Sequence, residues 1–123
     1  MNTVFGIFPK PDPLKSSSQV YDLKTRLDWG EPGLTIIDIR DRNDFNESHI
    51  TGAISLPLPE LIQRVRQVLE PNRDIYVYGN TDTESAAAAE ALRQAGYASV
   101  ASLRGGVAAW KAVGFPVERG MVA

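Results

Sequence analysis

Three short apolar runs, TIIDI at 35–39, IYVY at 75–78 and VASL at 100–103, are separated by stretches with helical spacing. Each run is too short for a buried helix, and the first two are rich in β-branched or aromatic residues, so each reads as a strand. Strands that alternate with helices long enough to serve as crossovers pack as a parallel sheet covered on both faces. The expectation is a three-layer α/β domain with a central, mainly parallel sheet of about four or five strands.

The intervening segments carry their own punctuation. Ser16, Ser17 and Ser18 offer caps, Ser16 and Gln19 stand at capping-box spacing, and Val20, Leu23 and Leu27 recur at helical intervals. This predicts a helix over 18–28, stopped by Gly30, Pro32 and Gly33. A short helix is expected over 42–47, a turn over 49–52 and a brief strand over 53–56. Pro59 suits the first turn of a helix carrying Leu61, Ile62, Val65, Val68 and Leu69. The alanine-rich stretch 83–95 reads as a helix ended by Gly96, and Gly105 and Gly106 lead into a last helix with Val107, Trp110 and Val113. Trp110 and Phe115 are expected in the core.

A chain of 123 residues fits one domain, with a division into an N-terminal Pro-rich arm (1–15), a folded unit (16–119) and a tail (120–123). The arm has Pro9, Pro11 and Pro13, yet also Val4, Phe5, Ile7 and Phe8, which suits packing on its own domain better than a solvated tail; a docking peptide is the other reading. Thirteen Lys and Arg against fifteen Asp and Glu leave a net charge of −2, with the basic residues scattered, so nucleic acid is not expected as a partner. No apolar run approaches the roughly 20 residues of a membrane span, and the N-terminus lacks signal-peptide features. A cytoplasmic location without membrane association is the expectation. There is no cysteine and a single histidine, His49, which removes thiolate chemistry, cysteine zinc sites, iron–sulfur clusters and multi-histidine metal sites. No cofactor is expected.

Three segments together resemble the rhodanese-like domain family. TIIDIRDRNDFNESHITGAISLP (35–57) has a strand ending in Asp-x-Arg, an acidic short helix and a His-Ile-x-Gly-Ala turn. DIYVYGNTDTESAAAAEALRQAGY (74–97) matches the strand, active-site loop and following helix, and VASLRGGVAAWKAVGFPVE (100–118) matches the strand, Gly-Gly turn and Trp-bearing helix. The resemblance spans about 18–118. It implies a loop of the form Cys-x-x-Gly-x-Arg-Ser after the second central strand. Here that loop is Gly79-Asn80-Thr81-Asp82-Thr83-Glu84-Ser85: Gly79 replaces the nucleophile, Asp82 the inner glycine and Glu84 the arginine, and Ser85 is retained.

The family's sulfur transfer needs a low-pKa thiolate held at a helix N-terminus. Gly79 supplies none, so the resemblance implies an inactive sulfurtransferase homologue. Glu84 would repel an anionic substrate, and Thr81 and Glu84 have capping-box spacing. Asp82 and Glu84 are therefore expected to satisfy the positive end of their own helix, filling the former anion site. Those residues with Thr81 and Thr83 could also ligate Mg²⁺ or Ca²⁺, but the helix dipole opposes a cation and no calcium-loop pattern is present. Thr81, Thr83 and Ser85 lack a neighbouring base, which disfavours a hydrolase, and caps are their commoner role. His49, with nothing to activate, reads as structural. Asp38 and Arg40 are expected as a network at the strand end, with Arg40 able to reach Asp82 or Glu84. The function expected is a protein-binding or regulatory module acting through the pseudo-active loop. The alternatives are a small-ligand or ion binder, or an accessory subunit of a sulfur-transfer system whose cysteine lies on another chain. The sequence names neither the partner nor the oligomeric state.

Overall fold

The computed structural model describes residues 16–30 and 33–120. The expectations for the arm at 1–15 and for the end of the tail lie outside these residues. The central sheet has five strands, all parallel: β1 (Ser17–Ser18), β2 (Leu34–Asp38), β4 (Ile54–Ser55), β5 (Asp74–Tyr78) and β6 (Val100–Leu103), in the order β1-β6-β5-β2-β4. A separate antiparallel pair joins β3 (His49–Ile50) to β7 (Val117–Glu118).

Period-two alternation sorts the strand side chains between two cores. Ile37, Ile39, Ile75, Val77 and Val100 face one side, against Leu61 and Val65 of α3 (Leu61–Val68) and Ala88, Ala89 and Leu92 of α4 (Asp82–Gln94). Ile36, Tyr76, Tyr78, Ala101 and Leu103 face the other, against Val20 and Leu23 of α1 (Val20–Asp28), Phe45 of α2 (Arg42–Glu47) and Trp110 of α5 (Gly106–Ala112). This is the expected three-layer α/β arrangement. Trp110 is fully buried, donates its indole N–H to the Pro116 carbonyl at 2.7 Å, and meets the half-buried Phe115 edge-on.

Two local expectations are corrected. Ser17 and Ser18 do not begin the first helix; they form an edge strand, with the Ser102 and Arg104 N–H groups donating to the Ser16 and Ser18 carbonyls. The capping box shifts accordingly, to Gln19 with Asp22, whose carboxylate accepts from the Gln19 N–H at 3.0 Å. The turn expected at 49–52 begins with β3, because His49 and Ile50 pair with the distant Glu118 and Val117. Pro59 sits in a 3-10 turn (Leu58–Glu60) that feeds α3.

Candidate functional site

The loop from the end of β5 to the start of α4 lies at the carboxyl edge of the sheet, where open α/β folds bind ligands. Several of its polar groups are bonded to one another. The Gly79 N–H donates to Ser85 Oγ at 2.8 Å, and the Ser85 hydroxyl donates to the Thr81 carbonyl at 3.0 Å. Thr81 is the N-cap of α4 and its hydroxyl oxygen accepts from the Glu84 N–H at 3.1 Å. Glu84 reaches back one residue beyond the cap, accepting from the Asn80 N–H at 3.2 Å. Asp82 behaves differently from the expectation. Its carboxylate accepts from the Gly105 N–H at 2.8 Å, tying α4 to the β6–α5 turn instead of capping its own helix. Thr83 is exposed in the first turn.

Gly79 is buried and crowded. A Cβ there would lie 3.1 Å from both Cγ1 and Cδ1 of Ile39 and 3.4 Å from the Glu84 Cβ. Ile39 thus packs close to where a nucleophile's side chain would start, and it would have to give by a few tenths of an ångström to admit one. Gly106, at φ +52°, brings the β6–α5 turn against the same loop; a Cβ there would stand 3.2 Å from the Gly79 carbonyl oxygen.

Asp38 and Arg40 form a buried pair at the end of β2. Asp38 is fully buried and accepts from the Arg40 backbone N–H at 2.9 Å, from Nε at 3.0 Å and from Nη2 at 2.7 Å. Nη2 also donates to the Ser48 carbonyl at 2.7 Å. Arg40 therefore does not pair with Asp82 or Glu84, as the sequence suggested; Asp38, two residues away and wholly desolvated, claims the guanidinium. Tyr78 completes the network. Its hydroxyl accepts from the Ile50 N–H at 3.1 Å, and burial, then the Asp38 charge, push its pKa up.

His49 sits apart from the loop, buried on β3. Its ring stacks on Phe45 with centroids 3.7 Å apart, and Nδ1 lies 2.8 Å from the Phe45 carbonyl, which requires the proton on that nitrogen. Nε2 faces Glu118 Oε1 at 3.4 Å. These contacts fasten α2 and the β3–β7 pair.

A cleft of about 230 Å³ opens beside the loop. Its apolar lining is Ile39, Leu58 and Pro59, and its polar lining is Asp41, Asn80 and Glu84, with Arg40. Asp41 and Leu58 were not singled out from sequence, and Pro59 was read only as a helix start; Asp41's place before a helix was the one local signal at hand. Asp41 occupies the N-cap position of α2 but its side chain makes no capping bond. Among the described residues, no His, Cys, Asp or Glu gather in groups of three or more that could hold a metal ion. Nor is any helix of them long and apolar enough to cross a membrane.

Residues 19–113 match the Rhodanese-like domain family. The crystal structure of the Alr3790 protein from Anabaena sp. superposes with a TM-score of 0.82 at 48% identity, covering 86% of this chain and 94% of that one. YqhL of Bacillus subtilis is 35% identical over 75 residues, 61% of this chain and 59% of that protein. A protein named Sulfurtransferase from Allochromatium vinosum is 32% identical over 82 residues, 67% of this chain and 76% of its own length. The chain thus aligns with only about six-tenths of the length of YqhL. With five parallel strands and the family match over residues 19–113, the chain belongs to the rhodanese-like domain family.

Proposed function

We propose that this domain has left sulfur transfer and acts as a protein-binding or regulatory module through its pseudo-active face. The reading rests on Gly79 standing where the family resemblance implies the nucleophile, and on Ile39 lying 3.1 Å from where a Cβ would stand. A thiolate is the group that attacks and carries sulfur, and the 123 residues contain none. The loop's own side chains also take up donors that would otherwise face an anion: Ser85 takes Gly79 N–H, Glu84 takes Asn80 N–H and Thr81 takes Glu84 N–H. Hydrolysis through Ser85 has no support, since its hydroxyl is buried and bonded within the loop.

What stays open is a surface. Leu58 is 44% exposed beside a cleft whose other lining includes the exposed Asp41, Asn80 and Glu84. An apolar residue within a polar rim is the usual anatomy of a transient protein interface. The test is affinity capture from a native lysate with the wild-type chain and with Leu58→Glu. Specific capture that Leu58→Glu abolishes supports the role; capture of nothing specific, or capture indifferent to Leu58→Glu, refutes it.

A second reading rests on the relatives. B. subtilis YrkF, 29% identical over 87 residues, bears the name putative sulfur carrier protein, and the Allochromatium relative is named Sulfurtransferase. On that reading the domain is an accessory subunit whose partner brings the cysteine. Identification of a cysteine-dependent sulfur carrier as the captured protein would favour it.

A further inference from the structure

We infer that the cleft beside the pseudo-active loop receives a lysine or arginine side chain from a protein partner. The inference deepens the proposed function and rests on it. Among the described residues, Arg40 is the only cation in the cleft lining, and its charge is already answered: the guanidinium holds both oxygens of Asp38, at 3.0 and 2.7 Å, and the Ser48 carbonyl. Asp41 and Glu84 are the remaining charged groups of the lining, and both are exposed. The Asp41 side chain makes no capping bond to α2. Glu84 engages Asn80 N–H through Oε1, which leaves its other oxygen for an incoming donor.

The nearby positive groups do not reverse this sign. Arg42 and Arg64 both turn onto Glu60, at 2.9 and 3.0 Å, and neither lines the cleft. The N-terminus of α4 contributes about half a positive charge, against two full carboxylates. An anion therefore meets net repulsion, and a cation net attraction. The apolar part of the lining selects among cations. Ile39, Leu58 and Pro59 offer surface for an aliphatic stem, and only a long amphipathic side chain covers such surface while its head reaches the carboxylates. An exposed ion pair adds little affinity, so a single side chain binds weakly and serves as one anchor of a larger interface.

The test is an amide chemical-shift titration of the ¹⁵N-labelled chain with a capped Gly-Arg-Gly peptide. Controls are the same peptide with norleucine or glutamate in place of arginine, and spermidine. Saturable shifts centred on Asp41, Leu58, Asn80 and Glu84, severalfold weaker with norleucine and absent with glutamate, are expected. Glu84→Gln, which keeps an acceptor for the Asn80 N–H, should weaken the arginine response severalfold, and Asp41→Asn should do so independently. Equal response to all three peptides, or none up to tens of millimolar, overturns the proposal. A spermidine response matching that of the arginine peptide also overturns it, by assigning the cleft to a small free cation. The Leu58→Glu capture experiment reads the protein-binding role separately: capture without a peptide response removes the cation pocket and leaves that role standing.

Discussion

Replacing Asp82 and Glu84 by asparagine and glutamine removes two charges from the start of α4 while leaving acceptors for the Gly105 and Asn80 N–H groups. The loss is then electrostatic. A carboxylate in the first turn of a helix contributes about 0.3–1 kcal/mol. Both groups are exposed, so solvent and salt place each near the lower end of that range. The double variant should lose roughly 0.6 kcal/mol, which lowers Tm by about 2–3 °C in a domain of this size. Thermal unfolding followed by circular dichroism at low and high salt measures this. Glu90→Gln in the interior of the same helix, an exposed residue paired with Arg93 at 3.2 Å, serves as the control. The deficit of the double variant should shrink as salt rises, and Glu90→Gln should change Tm little. An unchanged or raised Tm would refute the reasoning. It would mean that repulsion among Asp41, Asp82 and Glu84 outweighs their attraction to the helix end, so the chain's own carboxylates do not fill the former anion site.

Other perturbations test the surrounding framework. Asp38→Asn leaves the Arg40 guanidinium buried without its counter-charge and should cost about 3–5 kcal/mol in urea unfolding; a loss below about 1 kcal/mol would show that the pair does not hold the strand end. Gly79→Cys should cost about 1–3 kcal/mol through crowding against Ile39, and Ile39→Val in the same chain should recover part of it. The new thiol should alkylate roughly tenfold more slowly at neutral pH than in Gly79→Cys/Glu84→Arg, since a neighbouring carboxylate raises a thiol pKa and an arginine lowers it; equal rates would show that Glu84 does not set the charge at this position. Glu60, hydrogen-bonded first by Arg42 and then by Arg64, has its carboxyl lowered from 4.5 to about 2. Its contribution to stability is therefore present above pH 4.5 and lost as pH falls through about 2. Glu60→Gln should flatten the acid limb of the stability curve in that window, and an unaltered limb would contradict the assignment.

Much of the architecture was legible because its signals are local. The runs at 35–39, 75–78 and 100–103 alternate between two helical layers as period two requires, and the short helix over Arg42–Glu47 and the strand Val100–Leu103 fall where sequence placed them. The errors lie where distant segments decide. Ser17 and Ser18 look like helix caps, but hydrogen bonds to Ser102 and Arg104 make them an edge strand. His49 and Ile50 look like a turn until Glu118 and Val117 pair with them. At the site, the Thr81 cap could be read from spacing, whereas the inverted charge at Glu84 is what the family resemblance implies. The partner of Arg40 could not, because the choice between Asp38 and the loop carboxylates depends on burial. Nor could the cleft, which Ile39, Asp41, Leu58 and Glu84 assemble from three separate stretches of chain without a shared motif.

The most direct test of the central claim is an amide NMR titration of the labelled chain with thiosulfate, following residues 79–86. The account predicts no saturable shifts there, because the donors of Gly79, Asn80 and Glu84 are held by Ser85, Glu84 and Thr81. Saturable shifts confined to that loop would show a working anion site and contradict the account.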